Sequence, residues 1–387
     1  MPNLPILTLL AGLFIGLFAG QAVFFGDTVH LHINVPRSLQ DKGFTLPVAE
    51  EVFAAEAARL IRGRSVIPPP TLRIHAQPTV LSAIAAPLST DAAVAAVQTQ
   101  FGIAHLDVVA AMTVGDGTPG DDESNSGGGS KALEMALIIS QPDHPPAEIR
   151  LSQEDGNPVL LVRRAAAWTL ERVAPYRVAL ADFLLGTEGD ATGFMLARQV
   201  ATRALLRPGQ RDQASERALL TSLLGLISAA DNDLDGALAA FRSAGQIPDM
   251  LDPVRAEVAL NQAVVALALR QPGQAAAALA QARDIAARTD LPDLALNLRL
   301  AEGLLAWSGG DVAAAESMFR EIAAQAPSNE AGHRYLGLVL SARGDRDGAA
   351  AALNAATAVH GAETPQQALV TALFWVDPVG GGLTRRF

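Results

Sequence analysis

The spacing of apolar and polar residues changes several times along this chain, and each change predicts a different element. Residues 4–25 (LPILTLLAGLFIGLFAGQAVFF) carry no charge, and Asp27 ends the run. That is about the length a helix needs to cross a bilayer core. Val29-His30-Leu31-His32-Ile33-Asn34-Val35 then alternates without a break, the pattern of a half-buried strand with Val29, Leu31, Ile33 and Val35 inward. Thr45-Leu46-Pro47 opens a helix running to about Ile61. Its apolar residues Val48, Val52, Phe53, Leu60 and Ile61 share a face, and Gly63 stops it. Thr71–Gln77 alternates again. Ser89, Thr90 and Asp91 supply cap chemistry for a helix to Phe101, closed by Gly102. Three β-type runs follow, at Leu106–Val114, Leu133–Ser140 and Ala147–Gln153. Asn157-Pro158 starts a long helix that Pro175 interrupts before Tyr176–Leu185. The order β-α-β-α-β-β-β-α, ending in a run of strands, predicts a small α+β domain over residues 27–186. Gly115–Ser130 reads as a hairpin loop by composition.

Beyond residue 187 the period becomes helical and repeats. Gly303, Gly310 and Ala315 recur 34 residues later as Gly337, Gly344 and Ala349. A fixed period of this length marks stacked helical hairpins, which bury their apolar faces only by packing on one another. Phe319 and Leu353 fill a large apolar position, and Pro327 closes the first unit. A third unit fits around Gly225, with Ala237, Phe241 and Ala244 at matching offsets. A fourth lies at Val258–Ala287, placed by Gly273 and Ala278, with Ala263 or Val264 where the glycine would be. Residues 190–206 read as an entry helix and Pro365–Val376 as a capping helix. These units resemble the tetratricopeptide repeat family. The resemblance implies an α-solenoid over residues 187–387 whose concave face is lined by the first helix of each hairpin. The stretches at 35–53 (VPRSLQDKGFTLPVAEEVF) and 174–185 (APYRVALADFLL) resemble a small α+β domain found between a membrane anchor and a helical-repeat array in some bacterial proteins.

Composition narrows the function classes. The chain has 387 residues, half of them hydrophobic, with a formal net charge of −11. An acidic surface argues against nucleic acid, whose phosphates require basic residues. There is no cysteine, which excludes disulfides, thiol catalysis and cysteine–zinc sites. Alanine abundance with few aromatics favours closely packed helices.

Residues 1–26 are expected to be an uncleaved transmembrane anchor, since a signal peptide normally has a basic start and a shorter apolar run. Gly12, Gly16 and Gly20 share one face of that helix, a pattern that lets two membrane helices approach and makes a homo-oligomer conceivable. The expected place is a bacterial inner membrane, crossed once, with lipid contacted by residues 4–25. Arg37 and Lys42 lean toward a cytoplasmic bulk by charge, whereas the layout of one anchor and a large following region leans toward the periplasm.

Candidate chemistry is thin. Gly115-Asp-Gly-Thr-Pro-Gly120 matches a dinucleotide fingerprint, but Asp121, Asp122 and Glu123 follow it where a helix N-terminus would have to receive phosphate. Asp231-Asn-Asp233-Leu-Asp235-Gly236 opens like a calcium loop, yet its twelfth position is Arg242 and the segment falls in an inter-helix turn. His30 and His32, with His75 on the next strand, place imidazoles on one polar face, the donor type of a metal site. Solvent-facing strand histidines are the commoner explanation. Asp107 and Glu134 sit on strands with no nucleophile to pair with. No catalytic residue, cofactor or metal is therefore expected. By the resemblance, the partner-binding positions are Asn297, Leu300, Leu304 and Trp307 in one hairpin and Ala331, Arg334 and Leu338 in the next. Trp and Arg dominate interface energetics when a partner buries them, although Trp307 equally suits packing between repeats. Trp168 and Trp375 read as core or cap. The expected function is a membrane-anchored scaffold that holds protein partners. The alternatives are an accessory subunit packed within a larger membrane complex, or a ligand-sensing, metal-sensing or enzymatic α+β domain with an attached array.

Overall fold

The computed structural model describes residues 28–61, 105–114, 132–141, 144–187, 189–207, 214–289, 292–359, 374–376 and 383–385. The protein is mostly helical with a small four-stranded sheet. The expected transmembrane helix is corrected. Among the described residues no helix is long and apolar enough to cross a membrane. The longest described helices have 17 residues, which at 1.5 Å per residue gives about 25 Å against a hydrocarbon core of about 30 Å. Residues 4–25, with Gly12, Gly16 and Gly20, lie outside the described residues. The single-pass inner-membrane assignment is withdrawn with the anchor.

The chain divides into two compact units at Ala174–Pro175. The first holds β1 (Thr28–Asn34), α1 (Arg37–Gln40), α2 (Leu46–Leu60), β2 (His105–Val114), β3 (Leu133–Gln141), β4 (His144–Gln153) and α3 (Pro158–Val173). The sheet order is β1-β2-β3-β4. β1 pairs with β2 in parallel, and β2, β3 and β4 form an antiparallel meander. The expected strand at 71–77 and helix to Phe101 lie outside the described residues, as does the loop at 115–130.

Period-two alternation in the strands decides which face is buried. Leu31, Ile33, Val108, Ala110, Met112, Met135, Leu137 and Ile139 point to one side, where Ala49 and Phe53 of α2 and Leu161, Val162, Ala165 and Ala166 of α3 cover them. Pro47 sits in the first turn of α2. Asn157 caps α3 by accepting from the N–H groups of Val159 and Leu160. The other side of the sheet carries exposed Val109 and Ile138, which are direct cross-strand neighbours. Trp168 packs against the core with the Arg172 guanidinium 4.9 Å from its ring centroid.

The second unit is a row of paired helices. They are α4 (Pro175–Thr187) with α5 (Ala191–Leu206), α6 (Ala214–Ala230) with α7 (Leu234–Gly245), α8 (Asp252–Ala268) with α9 (Pro272–Ala286), α10 (Pro292–Ser308) with α11 (Val312–Gln325), and α12 (Glu330–Ala342) with α13 (Arg346–Ala358). Each pair packs on the next, and the first helices of successive pairs also touch, from α4 to α6, α8 and α10. This is compatible with an α-solenoid. The helix expected at 190–206 therefore has a partner, because α4 belongs with it and with α6. A short hairpin of β5 (Phe374–Val376) and β6 (Leu383–Arg385) ends the chain. Phe374–Val376 is strand, not the end of the expected capping helix; the rest of that segment lies outside the described residues.

One register underlies four of the pairs. A small residue on the first helix is followed seven residues later by a left-handed turn residue and sixteen residues later by a bulky buried or packing one. The sets are Gly225/Asn232/Phe241, Ala263/Arg270/Leu279, Gly303/Gly310/Phe319 and Gly337/Gly344/Leu353. A Cβ built on Gly225 would meet Phe241 at 2.7 Å, one on Gly303 would meet Phe319 at 2.6 Å, and one on Gly337 would meet Leu353 at 2.7 Å. The glycine is the space into which the ring or leucine of the second helix fits. In the α8–α9 pair the register set by Gly273 and Ala278 is corrected. The left-handed residue is Arg270, with φ 58°. The small inter-helix residue is Ala275, fully buried like Ala237 and Ala315. Gly273 faces open space.

Candidate functional site

Asp233, Asp311 and Asp345 sit just after the left-handed turn residues, and each caps the helix that follows. They accept from the N–H groups of Gly236, Ala314 and Gly348 at 2.9–3.0 Å. This accounts for the calcium-like run. Asp233 is committed to its cap, Asp231 pairs with Arg198 at 2.5 Å, and Arg242 donates to Gln274. His32 is exposed on β1, while His75 and the side chain of His30 lie outside the described residues. Among the described residues no three His, Cys, Asp or Glu side chains are placed to hold a metal ion. Glu134 stands opposite Thr113, and Asp107 opposite Ser140, so the two acids are not cross-strand partners. The glycine-rich stretch 115–120 lies outside the described residues.

The positions read as partner-binding separate into two groups. On α10, Asn297, Leu300, Leu304 and Trp307 are all buried. Trp307 packs edge-on to Phe319, with ring centroids 6.1 Å apart, and Phe319 stacks at 5.6 Å on Tyr335 of α12. The three rings link α10, α11 and α12: Trp307 packs on Phe319 within its own hairpin, Phe319 carries the contact on to the next, and the buried Trp307 is not open to a partner. On α12, Ala331 is buried, whereas Arg334 and Leu338 remain half-exposed and Ser341 is exposed. Arg334 forms an ion pair with Glu330 one turn earlier. Asn329 caps the helix by accepting from Gly332 at 2.8 Å. α12 thus offers a row in which a cation and an aliphatic side chain stand one turn apart.

Sequence reading missed the polar joints between hairpins. Buried Glu316 on α11 bonds Arg320 on its own helix and Arg343 at the end of α12. Burial pushes its carboxyl up, but the bonds from Arg343 and Arg320 prevail and hold it below the usual glutamate value. The i,i+4 spacing of Glu316 and Arg320 was legible; the approach of Arg343 depends on how the hairpins stack. Arg283 of α9 reaches Glu302 of α10 at 2.6 Å across two hairpins, while within the α10–α11 hairpin Arg299 reaches Glu321 at 2.6 Å. Deeper in, the Asn261 amide of α8 donates to Ser222 of α6 at 3.1 Å.

The fold defines a class: a mainly helical chain with a row of stacked helical pairs and a separate α+β unit. No protein-family model matches the chain, and no curated protein does. Among solved structures it is similar to the crystal structure of BtubC (BKLC) from P. vanneervenii. The two are 23% identical, the match covers 51% of this chain and 87% of that one, and the TM-score is 0.38. A likeness this low carries no argument about function.

Proposed function

We propose that residues 175–358 form a tetratricopeptide-like protein-binding array, and that the chain acts as a scaffold with no catalytic step of its own. The observation that carries this reading is the recurring small/left-handed/bulky register. It builds a row of hairpins whose terminal first helix, α12, keeps Arg334 and Leu338 accessible. Arrays of this kind create extended surfaces that suit polypeptide partners. Arg334 supplies a guanidinium on a partly desolvated helix face, and Leu338 supplies an apolar contact beside it. That combination fits an acidic and aliphatic stretch of a partner chain.

The test is site-specific photo-cross-linking in the source cell, with p-benzoylphenylalanine at position 338 of the full chain. A discrete adduct of reproducible mass that fades when Arg334→Ala is added supports the reading. Absence of any adduct at 338, with the fold intact by circular dichroism, defeats it.

A further inference from the structure

The two faces of the sheet in the first unit are unequal. One is packed under α2 and α3. The other holds side chains in register across all four strands. His32, Val109, Ile138 and Glu148 form one row, and Asn34, Ala111, Ala136 and Arg150 form the next. A sheet with one face toward water normally carries polar residues there. Here the two central strands carry a block of four apolar side chains instead. Val109 and Ile138 are 47% and 41% exposed, Ala111 is exposed and Ala136 is half-buried. In these rows the polar side chains stand on the edge strands, His32 and Asn34 on β1, Glu148 and Arg150 on β4.

We propose that this face binds the same face of a second copy of the chain, about a two-fold axis running along the strands between β2 and β3. The register selects the occupant. That axis lays Val109 over the second copy's Ile138 and Ala111 over its Ala136. It lays His32 over the second copy's Glu148 and Asn34 over its Arg150, and symmetry repeats each contact in reverse. Both edges then match: an imidazole donates to a carboxylate whether neutral or charged, and an asparagine carbonyl accepts from a guanidinium. Arg150 stands 3.8 Å from Glu148 on its own strand, an exposed pair that contributes little in water. Two twisted sheets pack with their strands within about 30° of each other, which this axis satisfies. An unrelated partner could cover the apolar block but would not by itself match both edges. Four strands about 4.8 Å apart, sharing about seven residues at about 3.4 Å each, give a footprint of roughly 450 Å². That is below the roughly 800 Å² per partner of a standard stable interface, so a weak dimer with a Kd of about 10–100 μM is expected.

Sedimentation equilibrium of the full chain tests this, with circular dichroism as the check on folding. A monomer–dimer equilibrium in that range is expected. Val109→Asp puts two carboxylates into the apolar block and should raise the Kd at least about tenfold. His32→Glu sets carboxylate against carboxylate at an exposed edge, where folding is not at stake, and should raise it about fivefold or more. Adding Glu148→Lys should return it to within about twofold of the original. Within one chain residues 32 and 148 lie three strand spacings apart, about 14 Å, so this rescue reports a contact between copies. A chain that stays monomeric tenfold above the expected range overturns the proposal. So does an association that Val109→Asp and His32→Glu leave unchanged, which would place it on another surface, and so does failure of the rescue. None of these outcomes bears on the array, whose reading is decided by the adduct at position 338.

Discussion

Hairpins α8–α9 and α10–α11 solve one packing problem with different residues. In the second, Gly303 faces the Phe319 ring and Gly310 makes the left-handed turn. In the first, Ala263 and Leu279 hold the same two packing offsets, both buried, and Arg270 takes the turn. A methyl added on the first helix accompanies a smaller side chain on the second. Between these two hairpins the shared volume is kept although the glycine is not; the terminal pair, Gly337 with Leu353, combines the glycine with the smaller partner. If so, the two pairs should respond differently to the same kind of cut. Phe319→Ala should cost about 3–5 kcal/mol, because the ring also links Trp307 to Tyr335. Leu279→Ala should cost about 2–4 kcal/mol. Urea denaturation followed by circular dichroism gives both values, and equal losses would show that the aromatic relay adds nothing.

The next effect tests the shared volume directly. Gly303→Ala alone places a Cβ 2.6 Å from the Phe319 ring, and overpacking of this kind costs about 1–3 kcal/mol. Gly303→Ala with Phe319→Leu recreates the Ala263/Leu279 combination. The double variant should be less destabilised than the sum of its singles by at least about 1 kcal/mol. Strict additivity would mean that the two hairpins pack by different rules.

Polar joints separate the hairpins by pH. The α10–α11 hairpin is tied to the end of α12 by buried Glu316 and Arg343, whereas α8–α9 is tied to α7 by Arg242 and Gln274, whose amide does not titrate, and to α10 by the more exposed Arg283–Glu302 pair. Glu316 has its folded-state pKa lowered. Burial opposes this shift, and the Arg343 and Arg320 bonds outweigh burial. A depressed carboxyl contributes stability above its unfolded pKa and loses it as the pH falls through the folded value. Stability should thus decline on the acid side of the ordinary glutamate value of 4.5. Glu316→Gln should be less stable at pH 7 and should flatten that acid decline, whereas Gln274→Ala should leave its slope unchanged. A Glu316→Gln variant that keeps the full acid slope would move the effect to other carboxylates.

The contrast also explains what the sequence could reveal. The Gly303/Gly337 echo is legible because the helix glycine and the turn glycine keep their identities and a large apolar residue, Phe319 or Leu353, holds the third offset. The α8–α9 pair was legible as a hairpin but not in register. Gly273 drew the alignment to itself, while the actual turn residue, Arg270, carries no mark of a left-handed backbone. The strands of the first unit were legible from alternation, and Asn157-Pro158 gave the start of α3. The unit boundary was read at residue 186 and lies at Ala174, because only packing shows that α4 joins α5 and α6. Burial of Asn297, Leu300, Leu304 and Trp307 was out of reach for the same reason. Periodicity names the face a residue shares, and three-dimensional contacts decide what covers it.

The smallest effect isolates the turn. Arg270 and Gly310 occupy equivalent left-handed positions, with φ 58° and 86°. For an L residue that conformation brings Cβ toward the following carbonyl, at a cost of roughly 1–2 kcal/mol that glycine escapes. Glycine returns part of this through the greater freedom of its unfolded chain. Nothing lies within 4 Å of a Cβ built on Gly310, so Gly310→Ala adds backbone strain without a clash, partly offset by the stiffer unfolded chain, and should destabilise by about 1 kcal/mol. Arg270→Gly should move the α8–α9 hairpin the other way, by about 0.5–1 kcal/mol. Asn232→Gly, at the same position of the α6–α7 pair, should gain less, because asparagine tolerates this region through its short polar side chain. Ranked thermal midpoints of the three variants decide the matter. If Arg270→Gly lowers the midpoint, contacts of the arginine side chain outweigh the strain, and the irregular hairpin has turned its missing glycine to advantage.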